Sequence, residues 1–223
     1  MSIEGLFFDF DGVIADTETC WVETIEEYCA AQKRPIDRKM LDLCLGDGDV
    51  GMLEYLSRCT GSTPEQLLDA LRPRFREKTA RLTLRPGIAA GICYAQEHAL
   101  RLALVSNSTQ SYLDGWLKKL GLENVFSCVV ARTPQIPGKP APDLYLLALQ
   151  KTGLCPERTI AVEDSVLGLR AACAAGICAV AYPNEATRKA VADTFGLCVD
   201  LGMVSPQVWI RQTEEFYRQQ SAG

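Results

Sequence analysis

Two acidic residues separated by a single position follow a short apolar run near the N-terminus of this 223-residue chain. They are Asp9 and Asp11, which stand in the segment GLFFDFDGVIADTE directly after the apolar residues 6–8. Because residues i and i+2 of an extended chain project to the same side, the spacing predicts two carboxylates that point the same way. One carboxylate of such a pair can act as a nucleophile while the other transfers protons.

Further polar side chains follow the other predicted strands. Ser106 and Asn107 end the second strand, Lys139 lies in the loop after the third, and Glu163 and Asp164 end the fourth. The carboxyl ends of parallel strands form the ligand-binding edge of an α/β sheet, so we expect these residues to converge there. Acids at this density require a cation, and ligands that are all oxygens favour Mg²⁺.

The combination of acids, hydroxyls and one lysine fits phosphoryl transfer. Asp9 could attack phosphorus and form an aspartyl phosphate, with Lys139 and Mg²⁺ offsetting the charge of the substrate. Asp11 could protonate the leaving oxygen and later activate water. Ser106 and the amide of Asn107 could hold phosphate oxygens. Taken singly, each motif is better explained as a loop acid, a solvated lysine or a helix cap, so the prediction depends on their common position at strand ends.

Short apolar runs and segments of helical period alternate along most of the chain. The runs predict five strands, over 5–10, 102–106, 128–131, 159–163 and 178–182. The segments around them predict helices over 86–100, 108–122, 141–154 and 165–177. This order is typical of a parallel sheet with helices on both faces, and strands without strict alternation fit burial on both sides.

Residues 17–82 break this alternation, because their helical patterns follow one another without a strand between them. We therefore expect an α/β fold in which a Rossmann-like core, residues 1–16 and 83–223, carries an inserted all-helical cap, residues 17–82. Pro86 and Gly87 suit a hinge where the chain returns to the core. Asp16 and Thr17 stand at the other crossing.

The charge balance excludes several classes of partner. The chain has 23 basic and 28 acidic residues, a net charge of −5, which argues against a nucleic-acid or anionic-membrane surface. No apolar run reaches the roughly 18 residues of a membrane span, and the first residues lack the pattern of a signal peptide. We expect a cytoplasmic protein, a monomer or a weak dimer, that acts on a small molecule.

The ten cysteines include no Cys-x-x-Cys pair and have irregular spacing. We therefore expect free thiols that act as small buried apolar side chains, as at Cys29, Cys173 and Cys178, rather than disulfides. The single histidine, His98, excludes a metal site built on several histidines.

Four segments together resemble the haloacid dehalogenase superfamily, in the branch of phosphatases and β-phosphoglucomutases with a helical cap. They are DFDGVIADTE, VSNS, GKPAPD and VEDS, in this order along the chain. The resemblance implies Asp9 as the nucleophile and Asp11 as the general acid and base. It also implies Ser106 and Lys139 as binders of the phosphate.

The same resemblance implies a Mg²⁺ site. The ion would be held by Asp9, the backbone carbonyl of Asp11 and Asp164, with Glu163 close by. The expected activity is hydrolysis of a small phosphorylated metabolite, a sugar or polyol phosphate.

Two relatives of this activity are disfavoured by residues of the first motif. Dehalogenases and phosphonoacetaldehyde hydrolases of the superfamily lack the second acid, which is present here as Asp11. Sugar phosphomutases tend to carry a histidine where this chain has Trp21, and basic residues in a cap loop that here, at 45–52, is acidic and glycine-rich. A mutase and a catalytically silent binding protein remain the alternatives.

The cap must recognise the part of the substrate that the core does not hold. Asp47, Gly48 and Asp49 would suit sugar or polyol hydroxyls or a cationic group, and a plain turn before a helix explains them equally well. A second anionic group on the substrate would need basic cap residues. The basic residues of the last cap helix have a spacing that instead favours a solvated face: they are Arg72, Arg74, Arg76 and Lys78.

Overall fold

The computed structural model describes residues 2–45, 50–195 and 197–221 of the chain. The strands in this part form one parallel sheet in the order β3-β2-β1-β4-β5. They are β1 (Gly5–Phe8), β2 (Arg101–Ser106), β3 (Cys128–Ala131), β4 (Thr159–Glu163) and β5 (Cys178–Ala181). The predicted α/β fold with a Rossmann-like parallel sheet is confirmed.

Helices connect these strands in the predicted order. From residue 88 onward the helices are α5 (Ile88–Glu97), α6 (Gln110–Leu120), α7 (Asp143–Thr152), α8 (Val166–Ala174), α9 (Arg188–Ala192) and α10 (Pro206–Ser221). A short 3-10 turn, Pro156–Arg158, precedes β4. Gly121 and Gly153 end α6 and α7, since both glycines adopt left-handed conformations just after these helices.

The sheet is buried on both faces, because alternate residues of a strand point in opposite directions. Phe8, Leu104 and Val162 belong to one apolar cluster, which Trp209 of α10 completes. Phe7 belongs to the other cluster, together with residues of α7 and α8. The prediction of two buried faces, made from strands without strict alternation, is therefore confirmed.

The first strand ends two residues earlier than predicted. β1 stops at Phe8, although the amide of Asp9 still donates to the Val162 carbonyl over 3.0 Å. The backbone then turns at Gly12, whose φ of +77° suits a residue without a β-carbon. Asp9 and Asp11 are thus not two positions of one strand, and the extended geometry assumed from their spacing is wrong.

Four helices follow β1 before the chain returns to the sheet, and the described residues between them contain no strand. They are α1 (Thr17–Ala31), α2 (Arg38–Cys44), α3 (Val50–Thr60) and α4 (Pro64–Thr79). Their apolar residues, among them Ile25, Leu56 and Leu67, form a cluster of their own. Helix α4 begins with a capping box between Thr63 and Gln66, which satisfies amides that the first turn leaves unpaired.

The cysteines only partly match their prediction. All ten are free thiols, as expected. Cys29 is buried, but Cys178 is only partly buried and Cys173 is exposed. The prediction of burial fails at Cys173 because its position on α8 is exposed, although its Sγ lies 3.8 Å from the Tyr217 hydroxyl.

The helices that the structure describes include none with the length and apolar character needed to cross a membrane. The C-terminal segment forms α10. Its Tyr217 hydroxyl pairs with both the amide and the carbonyl of Ala179, at 2.9 and 3.0 Å. Since β5 is an edge of the sheet, this contact satisfies main-chain groups that no strand pairs.

Candidate active site

A cavity of about 750 Å³ opens at the carboxyl ends of β1 and β2. The predicted residues Asp9, Asp11, Ser106, Asn107 and Lys139 all contribute to its lining. Helices α1, α4 and α6 form its walls. The sheet topology therefore brings the residues of the first three motifs to one place, as their positions at strand ends predicted.

Lys139 is the centre of the polar contacts below this cavity. Its Nζ donates to Asp9 Oδ1 at 2.7 Å and to the Val105 carbonyl at 2.8 Å. It also lies 2.6 Å from Glu163 Oε1. The side chain is only 2% exposed, so all three ammonium protons have acceptors within hydrogen-bond distance and the buried charge is fully paired.

The charges of this group shift one another's protonation. Burial lowers the pKa of Lys139, but the adjacent carboxylates of Asp9 and Glu163 outweigh it and raise that pKa above its ordinary value. Burial raises the pKa of Asp9 to about 8, against the lowering effect of Lys139. Lys139 therefore stays protonated. Its single positive charge does not fully offset the cost of burying an ionised Asp9 carboxylate.

Asn107 positions the main chain of Lys139. The amide of Lys139 donates to Asn107 Oδ1 at 2.8 Å, and Asn107 Nδ2 donates to the Lys139 carbonyl at 3.2 Å. Gly138 allows this approach, because a β-carbon there would lie 2.6 Å from Asn107 Oδ1. The side chain of Asn107 thus fixes the loop after β3 against the end of β2, a role that its sequence motif did not indicate.

Three buried carboxylates lie together at this edge, and the Lys139 ammonium contacts two of them, Asp9 and Glu163. Asp9, Glu163 and Asp164 each offer an oxygen within 4.8 Å of the other two. Buried like charges need compensation, and Lys139 supplies only one positive charge. Glu163 Oε2 is also buried without a hydrogen-bond partner among the described residues. Because hard divalent cations prefer oxygen donors, these residues fit a Mg²⁺ ion.

Asp164 is held by a residue that sequence reasoning missed. Asn184, which is buried, donates from Nδ2 to Asp164 Oδ2 at 2.7 Å and accepts at Oδ1 from the amide of Thr187. Burial raises the pKa of Asp164 well above its ordinary value, and the charge of Glu18 adds to this. Asn184 follows the fifth strand as the other site residues follow theirs, so its position was a usable signal.

Asp11 faces a different set of partners from Asp9. Its Oδ1 accepts from the hydroxyls of Thr17 and Tyr112 at 2.7 and 2.9 Å, and its Oδ2 accepts from Ser108 at 2.5 Å. Its carboxylate is not part of the cluster of three. The three hydroxyls fix the direction of this carboxylate, which still lines the cavity.

Arg85 joins the returning chain to the site, and no motif indicated it. Its guanidinium donates to the carbonyls of Gly12, Tyr182 and Pro183. It also lies 3.7 Å from the centroid of the Tyr182 ring. The planar guanidinium thus connects the turn of the first motif with the loop that carries Asn184.

The predicted cap residues belong to two segments, the loop at 45–52 and helix α4. Asp47, Gly48 and Asp49 lie outside the described residues. On α4, Arg72, Arg74 and Arg76 are exposed, as the solvated-face interpretation expected, but the basic residues do not share one outward face, because Arg72 and Arg76 line the cavity. The sequence could not show this, since helix spacing does not tell which face packs against a neighbour.

The comparisons with known proteins agree with this geometry. Residues 6–182 match the family model described as haloacid dehalogenase-like hydrolase. The chain belongs to this family, and phosphatases among its relatives make it an enzyme of the phosphatase type. This confirms the resemblance that the four motifs indicated.

Two curated relatives and one solved structure illustrate the similarity. Protein CbbY of Rhodobacter capsulatus is 33% identical over 84% of this chain and 88% of its own length. The phosphorylated carbohydrates phosphatase of Thermotoga maritima is 28% identical over 78% of this chain and 82% of its own length. CbbY of Rhodobacter sphaeroides, solved with xylulose-(1,5)bisphosphate, has a TM-score of 0.72 at 28% identity. The match covers 90% of this chain and 95% of the CbbY chain.

Proposed function

We propose that this protein is a Mg²⁺-dependent phosphatase that hydrolyses a small phosphorylated metabolite through a phosphorylated Asp9. The observation that carries the proposal is the environment of Asp9. One carboxylate oxygen is held by Lys139 at 2.7 Å, while Oδ2 makes no hydrogen bond within the described part of the chain. Asp9 also lines the cavity, so this second oxygen suits attack on a phosphate that enters there.

The metal would be held by Asp9, Asp164 and the backbone carbonyl of Asp11, with Glu163 close by. A bound Mg²⁺ would offset the charge of the carboxylates and of the phosphate oxygens. Asn184 would orient Asp164 for this purpose through its 2.7 Å hydrogen bond.

The substrate phosphate would be held by the residues at the ends of β2 and β3. Ser106 Oγ accepts from the Ser108 amide at 3.0 Å, which leaves its own proton for a phosphate oxygen. The amide of Asn107 would be a second donor. Lys139 has acceptors for all three of its protons, so it would act through its charge unless one contact is exchanged for the phosphate.

In the first step, Asp9 would attack phosphorus and the bond from phosphorus to the leaving oxygen would break. Asp11 would donate a proton to that oxygen, so that the product leaves as an alcohol. In the second step, Asp11 would take a proton from water as the water attacks phosphorus. The bond between Asp9 and phosphorus would then break, releasing inorganic phosphate and restoring the carboxylate.

Helices α1–α4 would act as a cap over this chemistry. We propose residues 17–82 as the cap and residues 1–16 and 83–223 as the core. Closure would exclude water during the first step and opening would admit it for the second. A sugar or polyol phosphate is the proposed substrate, which accords with the relative named for phosphorylated carbohydrates.

The test is phosphate release from a panel of sugar, polyol, nucleotide and glycolate phosphates, with Mg²⁺ and with EDTA. Release that requires the metal and falls to background in Asp9→Asn is the expected result. Isomerisation of a hexose 1-phosphate without net phosphate release would instead indicate a sugar phosphomutase that uses Asp9. No turnover of either kind by a protein that binds Mg²⁺ would refute both and favour a catalytically silent binding protein.

A further inference from the structure

The four basic residues of α4 divide between two faces of the helix. Arg74 lies over the Tyr28 ring, 5.7 Å from its centroid. Lys78 binds two glutamates of α1, Glu23 and Glu27, at 3.1 and 2.8 Å. The other two residues, Arg72 and Arg76, line the cavity instead. They are four positions apart and therefore neighbours on one face.

A third basic side chain, from α6, lies beside the end of α4. Lys119, near the end of α6, lines the cavity and donates to the Thr79 carbonyl at 2.6 Å. It also lies 4.2 Å from the centroid of the Trp116 ring. Since Arg76 is three positions before Thr79, Lys119 and Arg76 lie at the same end of the cavity, and Arg72 lies about one turn of α4 away. We call Arg72, Arg76 and Lys119 the distal basic group.

The distal basic group stands well away from the carboxylates. Helix α6 begins at Gln110, directly after the segment that carries Ser106 and Asn107. Lys119 is nine residues further along, which at 1.5 Å per residue is roughly 14 Å along the axis. The cavity therefore has a site for phosphate transfer at one end and basic side chains at the other.

The acids of the cavity do not neutralise this group. Among the residues that the structure describes, the acidic ones in the lining are Asp9, Asp11 and Glu18, which belong to the end of β1 and the start of α1. None comes from α4 or α6. The side chains of Arg72 and Arg76 are exposed, and neither guanidinium forms an ion pair or hydrogen bond with another described residue. Two guanidinium groups open to a cavity suit an anion that they can bind through several donors.

We propose that the substrate carries a second anionic group, which the distal basic group binds while the first phosphate lies at Asp9. The proposal rests on the proposed phosphatase activity and narrows it to sugar or polyol phosphates with a further phosphate or carboxylate. It meets the condition set by the acidic loop at 45–52, namely that a second anionic group would need basic cap residues. The positive charge comes from α4 and α6 rather than from that loop.

The test compares xylulose 1,5-bisphosphate with each of its two monophosphates as substrates, by kcat/KM at constant ionic strength. The wild type should prefer the bisphosphate by at least about tenfold. The double variant R72Q/R76Q should lose most of this preference, so that the ratio of the two kcat/KM values falls about tenfold. Arg74→Gln is the matched control, because Arg74 faces Tyr28, and it should keep the wild-type ratio.

A binding measurement separates this proposal from the proposed activity. In Asp9→Asn, calorimetry should show tighter binding of the bisphosphate than of either monophosphate, and the triple variant with R72Q/R76Q should lose the difference. Equal turnover and equal binding of all three compounds, with phosphate released, would overturn the distal site alone. If none of the three compounds released phosphate, the phosphatase activity would be refuted. The binding data would then still decide whether the distal site exists.

Discussion

Asn184 donates from Nδ2 to Asp164 Oδ2 over 2.7 Å, so an amide after β5 fixes a carboxylate after β4. Asn184 is only 2% exposed and Asp164 only 1%. Gly12 packs against both side chains, and a β-carbon at Gly12 would overlap the Asp164 carboxylate. Gly12 and Asn184 therefore together hold the Asp164 carboxylate against the turn of the first motif.

Asn184→Ala should weaken Mg²⁺ binding about 10- to 100-fold, because Asp164 loses the hydrogen bond that orients it. Calorimetric titration with Mg²⁺ measures this directly. Glu185→Ala is the control, since Glu185 shares the loop but is exposed and pairs with Arg188 rather than with Asn184 or Asp164. An Asn184→Ala protein with the affinity of the wild type would show that this amide does not support the metal site.

Gly168→Ala should destabilise the protein by about 1–3 kcal/mol, because the new methyl group would overlap the buried carboxylate of Glu163. Glu163 would have to leave its contacts with Lys139 and with the Tyr145 hydroxyl. Gly115→Ala on α6 is the control. No atom lies within 4 Å of a β-carbon there, so this change should stabilise slightly. Thermal unfolding of both variants measures the effect, and equal shifts would contradict the packing described.

Arg85→Lys should lower the free energy of unfolding by about 1–3 kcal/mol, because an ammonium cannot replace the guanidinium across three carbonyls and the Tyr182 ring. Urea denaturation measures the change. Arg81→Lys, at an exposed position four residues earlier, should stay within about 0.5 kcal/mol of the wild type. Similar values for both variants would mean that the guanidinium contacts add little.

Lys139→Met should reduce kcat for phosphate release by at least about 10²-fold, because the positive charge beside Asp9 and the phosphate is lost. Steady-state assays with the best substrate of the panel give this number. Lys151→Met, on the exposed side of α7, is the control and should retain full activity. A Lys139→Met enzyme within tenfold of the wild type would contradict the role proposed for this residue.

The sequence predicted the sheet and the meeting of the motifs because both depend on local patterns. Buried apolar runs indicate strands, and parallel strands must bring their carboxyl ends to one edge. Asp9, Lys139 and Asp164 could therefore be placed together before any coordinates were known. Asn184 follows the fifth strand in the same way, so its place at this edge was also predictable from the sequence.

Other features depended on packing that a sequence pattern does not contain. The split of α4, with Arg72 toward the cavity and Arg74 toward Tyr28, is set by how α4 packs against α1. The bonds from Asn107 to the Lys139 main chain need two loops to meet across the sheet. The early end of β1 at Phe8 is a matter of strand boundaries, which short apolar runs define poorly.

The most direct test of the proposed chemistry is acid quenching of the enzyme during turnover of a substrate with a radiolabelled phosphate. The expected result is a labelled peptide that contains Asp9, with a bond cleaved by hydroxylamine, and no label in Asp9→Asn. Phosphate release at the wild-type rate by Asp9→Asn, or label carried by another residue, would contradict Asp9 as the nucleophile.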